Sequence, residues 1–191
     1  MTSSIASAAL ILHDIFEDYE GPLSFNELYA RVRARLIKHS SPEAADLILA
    51  YVLVLTKTAE EKLSEIDQKY FKRILNFNEE EISRLAERFS KMLGRDIDSL
   101  KRMFRMIDPA YLHLFKMADR LHNILTARRQ WTLEEFRAYI DEGLWFADAS
   151  AAPGYAKESF RKRIHNLRYS ELDKLRMRGA LRQEILEKTS H

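Results

Sequence analysis

The sequence predicts an all-α fold, and three observations support this prediction. The chain of 191 residues contains only 5 Gly and 4 Pro, too few for the many tight turns of a β-sandwich or barrel. Apolar residues recur at helical spacing over the long stretches between those residues. Hydrophobic residues make up 46% of the chain and charged residues 31%, a balance that supports a packed core and excludes wholesale disorder.

Start and stop signals place three helices in the first third of the chain. Gly21 and Pro22 end the first helix. The second opens with Ser24 as N-cap and Glu27 three residues later, and Ser41-Pro42-Glu43 opens the third, with Pro42 at the first helical position. The third helix is apolar nearly all round, which predicts that it is central. The predicted ranges of the first two helices are Ser3–Glu17 and Ser24–Lys38, and the third helix includes the apolar segment Ala44–Thr56.

The helical pattern continues through the rest of the chain. Ala59–Gly94 is amphipathic but interrupted near Asn76–Asn78, which predicts two helices. Asp108-Pro109 separates the next two helices, and Thr132 with Glu135 forms a capping box that opens another. The ranges predicted after Gly94 are Ile97–Ile107, Ala110–Arg128 and Thr132–Asp141.

Length and charge indicate one domain with an appendage. We expect a domain over residues 1–130 and a helical extension over 131–191, packed on that domain or appended to it. Ala147–Gly154 is rich in small residues and predicts a linker before a basic segment. Residues 1–30 hold five acids and no Lys or Arg, a net charge of −5, whereas residues 155–191 hold ten Lys or Arg and five acids, a net charge of +5.

The composition excludes several functional classes. The chain has no Cys, so disulfides, thiolate zinc sites and cysteine nucleophiles are absent, and any metal must be held by His and carboxylates. The apolar run Ile48–Leu55 is eight residues long, less than half of what a bilayer-spanning helix needs. No Lys or Arg precedes Arg31, so no signal peptide is expected. We therefore expect a soluble cytoplasmic protein that makes no membrane contact.

A His and three acids end the first predicted helix. At about 100° per residue, His13, Asp14, Glu17 and Asp18 project from one side of an otherwise apolar helix. A solvated acidic face is the simplest interpretation of such a cluster. However, acids near a helix C-terminus oppose the helix dipole and one another, and a bound cation would relieve that cost.

A second polar line lies on the predicted helix Ala110–Arg128. Asp119, Asn123 and Thr126 are spaced at i, i+4 and i+7, so they share one helix face. A solvent-facing stripe is again the simpler interpretation, but such stripes usually consist of Lys and Glu. An Asp beside an amide and a hydroxyl is more typical of a binding site.

The residues around both clusters form longer motifs. The first is AALILHDIFED at Ala8–Asp18, and the last is KMADRLHNILT at Lys116–Thr126. Between them lie AADLILAYVLVLTK at Ala44–Lys57 and LKRMFRMI at Leu100–Ile107. In this order the four segments resemble the Rel/Spo-type alarmone hydrolase domain, which belongs to the HD superfamily of metal-dependent phosphohydrolases. The resemblance covers about Ser3–Thr126 and fades in the last third of the chain.

The resemblance implies a function and a role for each motif residue. The expected fold is an HD-domain helical bundle with a basic C-terminal helical extension. The expected reaction is Mn²⁺-dependent removal of the 3′-pyrophosphate of guanosine tetra- or pentaphosphate, with one ion per chain. The matching positions are His13, Asp14 and Asp119 as metal ligands, Glu17 and Asp18 as the acids that position and deprotonate the attacking water, and Asn123 and Thr126 as nucleotide contacts.

Two departures from the family pattern leave alternatives open. The family has a further metal-binding His and a basic pair on an upstream helix, but only twelve residues precede His13 here, and neither His113 nor His122 is an obvious substitute. Leu125 stands where the family usually has Arg. Three interpretations remain: the native protein starts further upstream, three ligands suffice, or the reaction has been lost.

Those alternatives correspond to different functions. One is a catalytically impaired HD-fold module that binds a nucleotide or regulates a partner, and another is an HD phosphohydrolase of a different nucleotide. Nucleic-acid binding by the basic segment is not favoured, because five acids interrupt the ten basic residues of 155–191. The sequence leaves the oligomeric state open.

Overall fold

The computed structural model describes residues 3–57, 68–126 and 132–167, and these ranges contain helices and short connections without any strand. The all-α prediction is therefore confirmed. The helices are α1 Ser3–Glu17, α2 Phe25–Ile37, α3 Pro42–Leu55, α4 Gln68–Leu75, α5 Glu79–Leu93, α6 Ile97–Phe104, α7 Pro109–Thr126 and α8 Leu133–Ala149. Residues 154–167 are also helical and are called α9.

Side-chain hydrogen bonds at the helix N-termini account for the predicted starts. At α2, the Ser24 hydroxyl accepts a hydrogen bond from the Glu27 N–H, and the Glu27 carboxylate accepts one from the Ser24 N–H. Thr132 and Glu135 form the same capping box at α8. The Ser41 hydroxyl accepts from the third residue of its helix and caps α3. The three starts predicted from these residues are confirmed.

The described residues in the middle of the chain agree with the prediction except at one helix end, whereas the predicted helix start near Ala59 and the predicted end near Arg128 lie outside the described residues. The predicted break at Asn76–Asn78 separates α4 from α5, and the Asn78 side chain caps α5. Gly94 ends α5 in the left-handed conformation, with φ of 62°, which favours glycine. Helix α6 ends at Phe104 rather than at the predicted Ile107, because the chain there turns through i to i+3 hydrogen bonds.

Helix α8 is longer than the sequence pattern predicted. It continues to Ala149 instead of ending near Asp141. Phe146 is buried with 1% of its surface exposed, so burial continues the apolar face of the helix past the predicted end. The stretch Ala147–Gly154, predicted as a linker, therefore begins inside α8, and only its central part is a connection to α9.

Helix α3 is the central helix of its unit. All residues from Ile48 to Leu55 are buried, and the helix packs against α1, α2 and α6. The prediction of a central third helix is thus confirmed. Burying one large aliphatic side chain contributes about 1.5–3 kcal/mol, so this run of apolar residues is a main source of stability.

Side chains of α4 close the C-terminal end of α3. The buried Tyr70 hydroxyl donates a hydrogen bond to the Leu55 carbonyl. The buried Arg73 guanidinium donates to the Val54 carbonyl at 2.7 Å and to the Thr56 carbonyl at 3.3 Å. The last carbonyls of a helix lack partners within the helix, and these two side chains supply them.

The chain divides into two compact units, Met1–Lys116 and Met117–His191, and the division falls within the single helix α7. The first unit contains α1 to α6. In the second unit, the buried apolar residues come from the C-terminal half of α7, from α8 and from α9. Among the described residues, no helix combines the length and apolar character that crossing a membrane requires.

Candidate metal centre

His13 and Asp14 lie in the C-terminal part of α1 and differ in exposure. His13 is buried with 4% of its surface exposed, whereas the Asp14 side chain is 61% exposed. The His13 Nδ1 lies 2.7 Å from the Leu10 carbonyl oxygen. Because a carbonyl oxygen only accepts hydrogen bonds, Nδ1 carries the proton in this contact. In the neutral imidazole the lone pair is therefore on Nε2.

The Nε2 atom of His13 faces a negative group. The His13 Nε2 lies 3.2 Å from Asp14 Oδ1. A lone pair and a carboxylate oxygen repel at this distance unless a proton or a cation lies with them. A ring nitrogen that faces a carboxylate while the other nitrogen is held by a backbone carbonyl is the usual environment of a metal-ligating His.

Asp119 is the candidate ligand from α7. It is buried, with 6% of its surface exposed, and its Oδ1 accepts a hydrogen bond of 3.2 Å from the Asn123 side-chain amide. Asn123 is half-buried and lies four residues later on the same face of the helix. A buried carboxylate needs compensating partners, and this bond also restricts the orientation of the group.

The three predicted ligands come together. One ligand atom from each of His13, Asp14 and Asp119 lies within 4.8 Å of the other two. One imidazole and two carboxylates suit a borderline divalent ion, and the donor set therefore fits Mn²⁺.

The two acids predicted to be catalytic end α1 in different environments. Glu17 is half-buried, and its Oε2 accepts a hydrogen bond of 3.4 Å from the Lys57 backbone N–H. Asp18 is exposed and directly follows the last residue of α1. Glu17 lies one turn after His13, and Asp18 lies one turn after Asp14, so both acids are close in sequence and space to candidate ligands.

Other predicted or considered residues have the following environments. Thr126 is the last residue of α7, and its side chain lies outside the described part of the structure. His113 is buried, and its Nε2 lies 3.0 Å from the Ile74 carbonyl oxygen. This nitrogen therefore makes a structural contact within the core. His122 is exposed.

Sequence reasoning missed two backbone groups that hold predicted residues. The Leu10 carbonyl fixes the ring of His13, and the Lys57 amide binds the carboxylate of Glu17. Every residue has a backbone carbonyl and every residue except proline a backbone N–H, so no side-chain pattern could have indicated these contacts. The Thr56-Lys57 pair that follows α3 belongs to one of the four segments that resemble the hydrolase family. It is the feature of the sequence that comes closest to indicating the contact between the Lys57 amide and Glu17.

Comparisons with protein-family profiles, with curated protein sequences and with solved structures found no match for this chain. The assignment to HD-type hydrolases therefore stays a prediction. Its support consists of the four sequence segments in their order and of the His13, Asp14 and Asp119 cluster.

Proposed function

We propose that this protein is a Mn²⁺-dependent phosphohydrolase that removes the 3′-pyrophosphate from guanosine tetra- or pentaphosphate. One observation carries the proposal: one ligand atom from each of His13, Asp14 and Asp119 lies within 4.8 Å of the other two. Asp119 follows the other two residues by more than one hundred positions in the sequence. A solvated acidic surface patch does not require a buried imidazole, and this cluster contains one, with its Nδ1 held by the Leu10 carbonyl.

The residues of the cluster and its surroundings have distinct roles in this proposal. His13, Asp14 and Asp119 would hold the ion, which when bound would make a water more acidic and offset charge on the phosphate. Glu17 and Asp18 orient the attacking water and accept its proton. The Lys57 amide restrains Glu17, which suits orientation, whereas the exposed Asp18 is suited to passing the proton to solvent.

The proposal is tested by measuring pyrophosphate release. The purified full chain is mixed with guanosine tetraphosphate and Mn²⁺, and a chelator control is run in parallel. We expect release that depends on the metal. Asp14→Ala and Asp119→Ala should abolish both Mn²⁺ binding and release, whereas Asp98→Ala, at an exposed position in the first turn of α6, should retain both.

The outcomes separate the proposed hydrolase from its alternatives. Full activity in either ligand variant refutes the site. A nucleotide that binds with Mn²⁺ but stays intact indicates a binding or regulatory module. Hydrolysis of other nucleotides in a panel, without hydrolysis of guanosine tetraphosphate, indicates an HD phosphohydrolase of different specificity.

A further inference from the structure

Arg120, the residue after Asp119, is a buried cation held by α8. Only 1% of its surface is exposed. Its Nη2 donates hydrogen bonds to Glu142 Oε2 at 2.5 Å and to the Tyr139 carbonyl at 3.1 Å. The guanidinium carbon lies 3.1 Å from the centroid of the Tyr139 ring, so the planar group stacks on the aromatic face.

The backbone of α8 comes close to the same side chain. A Cβ atom at Gly143 would lie 3.3 Å from Arg120 Cγ, tighter than most van der Waals contacts, and 3.4 Å from Phe160 Cζ, at the short end of ordinary contact. Arg120 and Phe160 are themselves buried, with 1% and 4% of their surfaces exposed, so neither side chain has open solvent beside it. The glycine thus lets the aliphatic part of Arg120 pass directly against α8.

These contacts restrict the C-terminal half of α7. A guanidinium presents its donors in a rigid planar fork, so pairing with Glu142 and stacking on Tyr139 fix its direction as well as its distance. Consecutive residues of a helix project about 100° apart. Holding Arg120 in one direction therefore determines the direction in which Asp119 projects.

We propose that α8 positions the metal ligand Asp119 through Arg120. Glu142 and Gly143 are positioning residues in this scheme, because they act through Arg120 and not on a reacting atom. The metal part of this inference rests on the proposed function. It also gives a role to the region after Thr132, which the resemblance to HD hydrolases does not cover.

Two substitutions disturb the Arg120 contact by different means. Glu142→Gln removes the charge that pairs with Arg120, and Gly143→Ala places a methyl group against its aliphatic part without changing any charge. Asp141→Asn is the matched control, since Asp141 is an exposed carboxylate on the same helix. If Glu142→Gln does not fold, Glu142→Asp, which keeps the charge on a shorter side chain, takes its place.

The experiment has two readouts. The first is the NMR resonance of the Asn123 side-chain amide in the metal-free protein. This resonance reports on Asp119, because the amide donates a hydrogen bond to its carboxylate. It is assigned by its loss from the spectrum of the Asn123→Asp variant. The second is the Kd for Mn²⁺, measured by electron paramagnetic resonance of the free ion. We expect both variants to shift the amide resonance and to weaken Mn²⁺ binding about tenfold, as outer-sphere substitutions at metal sites do. The Asp141→Asn control should match the wild type.

The outcomes distinguish positioning from a purely structural role. If both variants lower Tm but keep the wild-type amide resonance and Mn²⁺ affinity, the contact only stabilises the fold and the proposal is overturned. If the wild type binds no Mn²⁺ and both variants still shift the amide resonance, α8 positions Asp119 and the proposed function is wrong. If the wild type binds no Mn²⁺ and the resonance does not move, both are wrong.

Discussion

At the scale of single residues, each buried candidate ligand is oriented by a group on its own helix. The Leu10 carbonyl accepts from His13 Nδ1, and the Asn123 amide donates to Asp119 Oδ1. Both partners lie within one helical turn of the ligand, so local helix geometry sets these contacts. Such partners reduce the rotamer freedom that a ligand would lose on binding an ion, and thereby raise affinity.

Removing one of these partners should weaken metal binding without removing a ligand. Asn123→Ala should raise the Kd for Mn²⁺ about 10- to 100-fold, because the Asp119 carboxylate loses the donor that orients it. Isothermal titration calorimetry measures this change. Ala118→Ser, at an exposed position of the same helix, is the control and should keep the wild-type Kd. An unchanged Kd in Asn123→Ala would contradict this role of the amide.

At the scale of helices, the end of α3 depends on side chains from another element. Tyr70 and Arg73 donate to the carbonyls of Val54, Leu55 and Thr56, and both donors are buried. Directly beyond this end, the Lys57 amide binds Glu17. The capped terminus of α3 therefore also determines where one of the candidate catalytic acids is held.

Loss of one capping hydroxyl should destabilise the protein measurably. Tyr70→Phe leaves the buried Leu55 carbonyl without its donor and should lower the free energy of unfolding by about 1–3 kcal/mol. Urea denaturation monitored by circular dichroism gives this value. Tyr155→Phe removes the same hydroxyl from a side chain that is 74% exposed and should change stability by less than about 0.5 kcal/mol. Equal effects in the two variants would disprove the capping role.

Acid should weaken the two capping boxes. The hydrogen bonds from Ser24 lower the pKa of Glu27, and those from the Thr132 backbone and hydroxyl lower the pKa of Glu135. A carboxyl whose pKa is lower in the folded state stabilises the protein above its unfolded pKa of about 4.3 and loses that contribution as pH falls through its folded pKa. The contribution is therefore complete at neutral pH.

The double variant Glu27→Gln/Glu135→Gln tests this pH dependence. Gln keeps the shape of the capping residue but has no charge to lose. The urea midpoint of the variant should lie below that of the wild type at pH 7, and the difference should vanish at an acidic pH below the lowered folded pKa of both carboxyls. A difference of the same size at both pH values would show that the charge of the capping residues contributes nothing.

Helix starts were predictable from the sequence because a cap is a local contact. The hydroxyls of Ser24 and Thr132 each accept a hydrogen bond from a backbone N–H only three residues later. The sequence spacing alone therefore indicates the contact that the structure shows. The end of α8 was not predictable, since it depends on the burial of Phe146 within the tertiary fold. The candidate site shows the same difference between local and tertiary information. The residues that could bind a metal were predictable from the sequence motifs, whereas the contact of Arg120 with Glu142 depends on the packing of α7 on α8.

At the scale of the whole molecule, binding of one ion at the candidate site would couple positions that are distant in the chain. The cluster takes His13 and Asp14 from the N-terminal helix and Asp119 from a helix that begins at Pro109. An unfolded chain does not hold these three groups together, so an ion binds the folded state in preference. Metal binding should therefore appear as added stability, independently of any turnover.

Mn²⁺ should accordingly raise the Tm of the wild type. At a free concentration 100 times its Kd, a ligand specific for the folded state adds about 2.7 kcal/mol, which corresponds to about 5–10 °C in Tm for a chain of this length. Differential scanning calorimetry with Mn²⁺, and with a chelator in excess, measures the shift. Asp119→Asn should lose most of the shift because the neutral amide is a weaker ligand, whereas Asp98→Asn, on the exposed surface of α6, should keep it. A shift that survives in Asp119→Asn would place the bound ion elsewhere on the protein.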